Sequence, residues 1–216
     1  MRFIRNQKGF TLIELAIVLV VIGLILGAVL KGQDLINNAK AKRALTDAQG
    51  LSAMAHLFMD RYGRLPGDCD SDGDVNYATL NSISSAFAAT ATPAFCYPPA
   101  LALAGANQQW NEFIQAQLQS SAAPRDLAKN TFGGAKYLAS YTTGGVAYNV
   151  VAMTDIPCYA AKAMDTNIDG TLDAGLGSVR IATGAAAVTL TTDAWTACTT
   201  EQTVVDVVYF YDKRPN

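Results

Sequence analysis

The sequence contains very little of the chemistry that enzymes use. Its 216 residues include one histidine, His56, so a cluster of histidines cannot hold a metal ion. The chain has no P-loop, no HExxH and no GxSxG, the short signatures of nucleotide binding, zinc proteolysis and serine hydrolysis. His56 falls beside an apolar stripe on a predicted helix, which fits a surface or boundary position. An enzymatic function is therefore not predicted.

The chain also lacks cysteines in CxxC pairs. Its four cysteines are widely spaced, which argues against a zinc or redox site and, in an exported domain, favours two disulfides. Three connectivities are possible, and the expected one is nearest-neighbour pairing, Cys69–Cys96 with Cys158–Cys198. Each bridge would close a loop of roughly 27 to 40 residues and stabilise the fold by about 3–4 kcal/mol. The alternative is that one or more cysteines are buried free thiols.

Basic residues are scarce beyond the N-terminus. The formal net charge is −2, from 16 basic and 18 acidic side chains. Without the three basic residues that precede Gly9, 13 basic side chains remain against the same 18 acidic ones, a charge of −5. Phosphate binding depends on clustered Lys and Arg, and the only dense basic cluster is Lys40, Lys42 and Arg43. No nucleic acid is expected as a partner.

One long apolar run dominates the N-terminus. It follows a basic leader that ends in Lys8, and residues 15 to 30 contain no charged side chain. The 21 residues from Phe10 to Leu30 would form about 31 Å of helix, which matches the hydrocarbon core of a membrane. No A-x-A-like cleavage site follows Leu30, so the run is predicted to be an anchor rather than a secretory signal. The positive-inside rule leaves the leader in the cytoplasm and the rest of the chain outside.

A glutamate stands at the start of this apolar run. The segment Gly9-Phe10-Thr11-Leu12-Ile13-Glu14-Leu15 resembles the prepilin processing motif of the type IV pilin and pseudopilin family, and the similarity extends over about the first thirty residues. The resemblance implies that prepilin peptidase cuts between Gly9 and Phe10 and that the new amino group of Phe10 is methylated. It also implies that Glu14 pairs with the terminal amine of a neighbouring subunit.

Physical chemistry supports that role for Glu14. An ionised carboxylate alone in the apolar phase costs several kcal/mol. A cationic amine from the next subunit offsets much of this cost, but only at the right axial stagger between the two helices. Glu14 is therefore predicted to set the register of subunits during polymerisation. The alternative is a solvated glutamate at the level of the lipid headgroups.

Helical periodicity continues beyond the membrane segment. Apolar residues recur at spacings of three and four from Leu45 to Tyr62. They predict one helix from about residue 10 to residue 62, which ends before Gly63 and the turn Leu65-Pro66-Gly67. Its first half would be the anchor and its second half the spine of a folded head. The expected domains are a removed leader (1–9), a transmembrane and filament-core segment (10–34) and an exported globular head (35–216).

The remaining sequence predicts an α+β head. The segment YGRLPGD, Tyr62–Asp68, resembles a YGxLPGD signature of one group of pilin-like proteins and predicts a fixed turn. Helices are expected at Tyr77–Thr90 and Gln108–Ser120. The predicted fold class is α+β, a long N-terminal helix with a disulfide-stabilised antiparallel sheet of about four strands packed on it. Strand-forming residues are concentrated in Gly145–Met153, Ser178–Ala182, Ala187–Thr192 and Val204–Tyr211.

Two aspartate-rich stretches could bind calcium. One fits the pattern D-x-N-x-D-G-x-x-D, which places short oxygen ligands before a glycine bend; its ligands would be Asp165, Asn167, Asp169 and Asp173. Its twelfth position is Leu176, where an EF-hand has a bidentate acid, so the loop is incomplete. The alternative is an Asp/Gly turn between a helix and a strand, without a metal. A similar stretch, the first of the two in chain order, contains Asp68, Asp70, Asp72, Asp74 and Asn76.

The sequence therefore predicts a structural subunit of a type IV pilus or of a type II secretion-like pseudopilus. Before assembly it would lie in the inner membrane with its head in the periplasm. Its partners would be prepilin peptidase, the inner-membrane assembly machinery, and copies of itself or other pilins. One alternative is a binding module, such as an adhesin or a DNA-uptake minor pilin, which an exposed aromatic patch from Tyr97, Trp195 or Tyr209 would favour. An anchored enzyme is the third reading, and no cofactor other than calcium is expected.

Overall fold

One long helix is followed by short helices and a single sheet. A computed structural model describes residues 9–80, 87–96, 105–183, 188–190 and 195–215. The chain divides into two units, Met1–Ala39 and Lys40–Asn216, the second of which we call the head. The elements in chain order are α1 (Leu12–Tyr62), α2 (Gln108–Gln115), α3 (Pro124–Leu127), β1 (Lys136–Thr143), β2 (Val146–Pro157), α4 (Cys158–Asp169), β3 (Val179–Thr183), β4 (Thr189–Leu190) and β5 (Val204–Phe210). The predicted α+β class is confirmed.

Helix α1 ends where the sequence predicted. Its last residue is Tyr62, and the following Gly63 has φ of +73°, a left-handed conformation that glycine adopts without steric cost. The Gly63 N–H donates to the Met59 carbonyl at 2.8 Å and closes the last turn. Within the head, α1 buries a narrow face made of Ala41, Ala44, Ala48, Leu51, Ser52, Ala55 and Phe58. The predicted stripe is confirmed from Ala48 to Phe58, whereas Leu45 at its start is partly buried and Tyr62 at its end is 43% exposed.

Five antiparallel strands form one sheet in the order β1-β2-β5-β3-β4. β1 and β2 are joined by Gly144 and Gly145, which both have positive φ, as a two-residue primed turn requires. The sequence predicted four of the five strands and missed β1, because its segment KYLASYTT mixes strand formers with Lys, Ala and Ser. Full pairing with β2, from Lys136–Met153 to Thr143–Val146, decides the conformation of β1.

One hydrophobic core in the head joins the buried face of α1 to the sheet and to α2. Phe113 of α2 meets Phe58 of α1 with ring centres 6.2 Å apart. Helix α2 is shorter than predicted, because Gln117 adopts φ of +58° and ends the helical path. The helix expected over 77–90 is not present in its described parts, 77–80 and 87–90, which are irregular, and residues 81–86 lie outside the described set.

The four cysteines form two disulfides, Cys69–Cys96 and Cys158–Cys198, in the nearest-neighbour pairing that was expected. Their Cα atoms are 5.2 and 5.7 Å apart, which is the usual separation for a disulfide. The first bridge ties the turn after α1 to the segment that leads into α2. The second ties the start of α4 to the segment before β5.

Candidate functional site

The first half of α1 is an apolar surface without cover. An 18-residue window of the helix has a mean hydropathy of 3.0, and none of it is buried. Ile13, Leu19 and Leu24 are 69%, 69% and 71% exposed. Soluble monomers rarely expose contiguous apolar patches larger than a few hundred Å². By length and composition this helix can cross a membrane, so lipid or other apolar helices are the surroundings that suit it.

Thr11 and Glu14 form a capping box at the start of α1. Glu14 Oε2 accepts hydrogen bonds from the Thr11 N–H and the Thr11 hydroxyl, both at 2.8 Å. The Glu14 N–H donates in return to Thr11 Oγ1 at 3.3 Å. This reciprocal pattern satisfies amide groups that have no partner within the first helical turn. It also explains why the helix begins at Leu12 and leaves Phe10 outside.

Glu14 keeps one carboxylate oxygen available for a further donor. Both side-chain bonds to Thr11 use Oε2, and Oε1 has no hydrogen-bond or ion-pair partner among the residues that the structure describes. A carboxylate can accept several donors, and hydrogen bonds that include an ionised group are about twice as strong as those between neutral groups. An amine brought from another chain could therefore bind at Oε1 without breaking the cap. The predicted cleavage site, Gly9 and Phe10, precedes the helix in an exposed, non-helical segment.

A second glutamate, in the head, is fully buried. Glu112 of α2 has no exposed surface, and its carboxylate accepts four hydrogen bonds. Arg64 donates two of them, from Nη2 to Oε1 at 2.5 Å and from Nη1 to Oε2 at 3.2 Å. The backbone N–H groups of Gly67 and Cys96 donate the others at 2.7 and 2.9 Å. Every strong acceptor position of this buried anion is therefore used, as burial of a charge requires.

The Arg64–Glu112 pair also fixes the YGRLPGD turn. Arg64 Nη1 donates to the carbonyl groups of Leu65 and Asp68, each at 3.0 Å, and Nη2 donates to the Cys96 carbonyl at 2.7 Å. One guanidinium thus holds the turn and the irregular segment that contains Cys96 together. The turn was predicted from the sequence, and Glu112 was not. The available signal was an acid between Trp110 and Phe113, in a helix whose other residues are uncharged.

The first aspartate-rich stretch forms an irregular loop after the turn. Asp68 accepts from the backbone N–H groups of Ser71 and Gly73 at 2.7 and 3.2 Å, as predicted for a turn residue. Burial raises the pKa of Asp68, and burial with its acidic neighbours raises the pKa of Asp74 to about 7. Carboxylate oxygens of Asp68, Asp70 and Asp72 all lie within 4.8 Å of one another. The loop therefore concentrates negative charge.

The second aspartate-rich stretch does not form an EF-hand-like loop. Asp165, Asn167 and Asp169 belong to α4, because Gly170 adopts φ of +76° and caps that helix through its N–H bond to the Thr166 carbonyl at 3.1 Å. The glycine ends a helix here instead of bending a metal loop. Asn167 is exposed and donates to the Ala163 carbonyl at 2.6 Å, so it does not share the face of Asp165 and Asp169. The segment has the geometry of an Asp/Gly turn between a helix and a strand.

The three aspartates of this stretch hold the loop between α4 and β3. Asp165 Oδ2 accepts from the Asp173 N–H at 2.7 Å. Asp169 accepts from the Ser178 and Val179 N–H groups at 2.8 and 2.9 Å. Asp165 is completely buried, and its Oδ1 has no partner among the described residues. Burial, together with the charges of Asp169 and Asp173, raises the pKa of Asp165 to about 6. Calcium binding at these residues stays a prediction.

Two further sequence interpretations concern single side chains. His56 is partly buried and meets the ring of Tyr211 edge-on at 5.5 Å, which is the boundary position that was expected. Of the aromatic residues that would favour a binding module, Trp195 is buried and Tyr209 is partly buried. Tyr97 lies outside the described residues. These positions give no exposed aromatic patch in the described part of the head.

Comparison with known proteins identifies the N-terminal segment. Residues 4–30 match the family described as the prokaryotic N-terminal methylation motif. The match contains Thr11, Glu14 and the exposed apolar run, and it leaves the head without a counterpart. No curated protein and no solved structure matches the chain.

Proposed function

We propose that this chain, which the methylation motif indicates to be a type IV pilin-like precursor, is a structural subunit of a type IV pilus or of a type II secretion-like pseudopilus. Prepilin peptidase cuts the precursor between Gly9 and Phe10, and the amino group of Phe10 is methylated. The mature chain then polymerises through the first half of α1. This role is structural and needs no active site in the head.

The observation that supports the proposal best is the combination found at the start of α1. A helix with a fully exposed apolar surface carries one carboxylate, that of Glu14, in its first turn. One oxygen of this carboxylate has no hydrogen-bond partner among the described residues. The apolar surface drives the segment into the membrane and later into a bundle of similar helices. The spare oxygen of Glu14 gives the terminal amine of a neighbouring subunit a place to bind. Charge pairing in a low dielectric then selects one register among many that apolar contacts alone would permit.

The proposal also includes where the protein acts. The precursor lies in the inner membrane with its leader in the cytoplasm and its head in the periplasm. The assembled filament is at the cell surface if it is a pilus and in the periplasm if it is a pseudopilus. Two disulfides in the head are consistent with an oxidising compartment.

Two substitutions of Glu14 test the proposal and separate capping from charge. Glu14→Val removes both the cap and the charge, whereas Glu14→Gln keeps a hydrogen-bond acceptor for Thr11 and removes only the charge. Each full-length variant is expressed in cells that contain prepilin peptidase and the assembly machinery. Processing is followed by mass spectrometry of the N-terminus, and assembly by the amount of subunit in the sheared filament fraction.

We expect both variants to be cut and methylated normally and neither to enter filaments. Filaments of Glu14→Gln at the wild-type level would contradict charge pairing and leave only the cap as a role for Glu14. A wild-type chain without cleavage at Gly9–Phe10 would contradict the proposal as a whole. If the chain were an anchored enzyme, neither substitution of Glu14 would change its function.

A further inference from the structure

An open groove of about 410 Å³ lies beside β3 and β5 in the head. Buried residues of both strands, Ile181, Ala182 and Val205, give the groove apolar lining. Asp155 and Asp206 add two carboxylates to the same lining. The groove therefore offers an apolar wall and a concentrated negative charge at one place on the surface.

A β-bulge brings the two carboxylates together. The pairing of β2 with β5 shifts between Met153 and Ile156, and the Asp155 N–H donates to Asp206 Oδ1 at 3.1 Å. Burial raises the pKa of Asp206, the Asp155 N–H lowers it, and the charge of Asp155 raises it again. Neither carboxylate has a cationic partner among the described residues. The groove thus carries negative charge that the rest of the described head does not balance.

The lining matches the chemistry of a lysine side chain. Its ammonium group can bind between two carboxylates, and its four-carbon stem can lie along apolar residues. Nucleic acid and other anions are excluded by the charge. A free divalent cation would leave the apolar wall uncovered, so a side chain that has both a cation and an apolar stem fits better.

The chain itself carries an unpaired lysine of this kind. Lys42 is exposed on α1, and its ammonium group makes no hydrogen bond or ion pair among the described residues. The neighbouring Arg43 already binds Asp47 at 3.0 Å, and Lys136 binds the same carboxylate at 3.0 Å. At 100° per residue, Lys42 points away from the buried face that contains Ala41 and Ala44. It is therefore available to another molecule.

We infer that Lys42 of one copy docks in the Asp155–Asp206 groove of a neighbouring copy. This inference rests on the proposed polymerisation, in which many copies of α1 and of the head are brought side by side. Charge complementarity selects the partner, since the groove is acidic and Lys42 belongs to the only dense basic cluster of the chain. This contact between α1 of one copy and the head of another would fix the position of neighbouring subunits, in addition to the register that Glu14 sets at the N-terminus.

Cross-linking tests the contact in assembled filaments. Val204 lines the groove and is 56% exposed, so Val204→Cys places a thiol there without disturbing either aspartate. Full-length Val204→Cys, with Lys42 in place, is treated in sheared filaments with a short reagent that joins a thiol to an amine. We expect dimers and higher multimers on a denaturing gel, with Lys42 in the cross-linked peptide. The matched control is Lys42→Arg/Val204→Cys, which keeps the positive charge and removes the reactive amine. Lys40, which is also exposed but lies about 200° away around the helix, should give no cross-link.

A charge exchange measures whether the contact matters. We expect Lys42→Asp to lower the amount of sheared filament about ten-fold, as loss of a close interfacial charge pair would. Lys40→Asp changes the net charge equally and should leave assembly near the wild-type level. Combining Lys42→Asp with Asp206→Lys should restore assembly. If the Asp206→Lys protein does not accumulate in cells, Asp206→Asn with wild-type Lys42 should instead reproduce the ten-fold loss of filament.

The outcomes separate this inference from the proposed function. Glu14-dependent filaments in which Lys42 gives no cross-link and Lys42→Asp assembles normally would overturn the inference and leave the proposed function intact. Equal cross-linking or equal loss of assembly at Lys40 and Lys42 would also overturn it. Absence of wild-type filaments under these conditions would instead count against the proposed function, on which the inference depends.

Discussion

Two glutamates next to apolar residues show how differently the two units of the chain treat a charge. Glu14 opens an exposed apolar helix and has one oxygen without a partner. Glu112 is buried in the head, and its carboxylate accepts four hydrogen bonds, two of them from Arg64. The charge of Glu112 is thus satisfied within one chain, whereas Glu14 keeps an oxygen that a donor from another molecule can use. The same residue type serves folding in one place and, by our proposal, assembly in the other.

The sharpest test of this difference is the same substitution at both glutamates. Glu112→Gln leaves Arg64 buried without a counter-charge, and breaking a buried pair in this way costs about 3–5 kcal/mol. Chemical unfolding of the full chain in detergent should therefore show a large loss of head stability, with normal leader cleavage. Glu14→Gln should leave head unfolding unchanged and stop assembly. Equal effects of the two changes on head stability would remove the distinction between the two sites.

The two disulfides extend the comparison within the head. The chain-entropy model assigns about 3.5 kcal/mol to the Cys69–Cys96 loop and about 4 kcal/mol to the Cys158–Cys198 loop. We expect Cys69→Ser/Cys96→Ser to lower the free energy of unfolding by less than the value that the chain-entropy model assigns to this disulfide. The reason is that Arg64 and Glu112 still bind the backbone of residue 96.

When Glu112→Gln is added to Cys69→Ser/Cys96→Ser, the missing disulfide should cost its full chain-entropy value. The combined loss of unfolding free energy should therefore exceed the sum of the two separate losses. Cys158→Ser/Cys198→Ser is the matched control, and its cost should simply add to that of Glu112→Gln. The unfolding free energies of the wild type and of five variants (each serine pair, Glu112→Gln, and Glu112→Gln combined with each serine pair) give both coupling terms. Strict additivity at the first bridge would show that the ion pair and the disulfide act independently.

The parts of the fold that follow from local sequence were predictable. The end of α1 at Tyr62 is marked by Gly63 and by the following Pro66 and Gly67, and the apolar periodicity marks the buried face. The capping residue Thr11 and Glu14, the residue proposed to act in assembly, lie in one short motif. β1 was missed because its eight residues become a strand through pairing with β2, which local preferences do not contain.

The long-range parts of the two sites were beyond local reasoning. Glu112 and Arg64 are 48 positions apart, and only the folded head shows that they meet. The calcium pattern failed as a loop because Gly170 has two uses in proteins, a bend in a metal loop and the end of a helix. The preceding residues of α4 continue a helix that starts at Cys158, so the second use prevails here.

A smaller effect on the stability of the head is expected from Asp165. Its Oδ1 is buried and has no hydrogen-bond partner among the described residues. Its pKa is about 6 in the folded chain and 3.8 ordinarily, so the folded chain holds this proton more tightly than the unfolded one. The contribution of this group to the free energy of unfolding is therefore greatest below about pH 4. It decreases as the pH rises to about 6 and does not change further above that pH.

Asp165→Asn should remove this pH dependence, since the amide oxygen can still accept from Asp173. Relative to wild type, we expect a gain of about 1–2 kcal/mol at pH 7.5, a value discounted from the full shift for solvent screening. Thermal unfolding between pH 4 and pH 8 measures the gain. The exposed Asp126→Asn is the control and should leave the profile unchanged. A wild-type melting temperature that stays level over this range would contradict the raised pKa.

The smallest predicted effect is that of calcium at Asp165, Asp169 and Asp173. A bound cation would replace the proton on Asp165, so calcium should stabilise the head by about 1 kcal/mol at five times its Kd and should flatten the pH profile of the wild type. Asp165→Asn should abolish both effects, while Asp72→Asn, in the other aspartate-rich loop, should abolish neither. No heat in calorimetry at millimolar calcium, with an unchanged melting temperature, would reject the site. A calcium response that survives Asp165→Asn and disappears with Asp72→Asn would move the cation to the loop after α1, where the carboxylates of Asp68, Asp70 and Asp72 already converge.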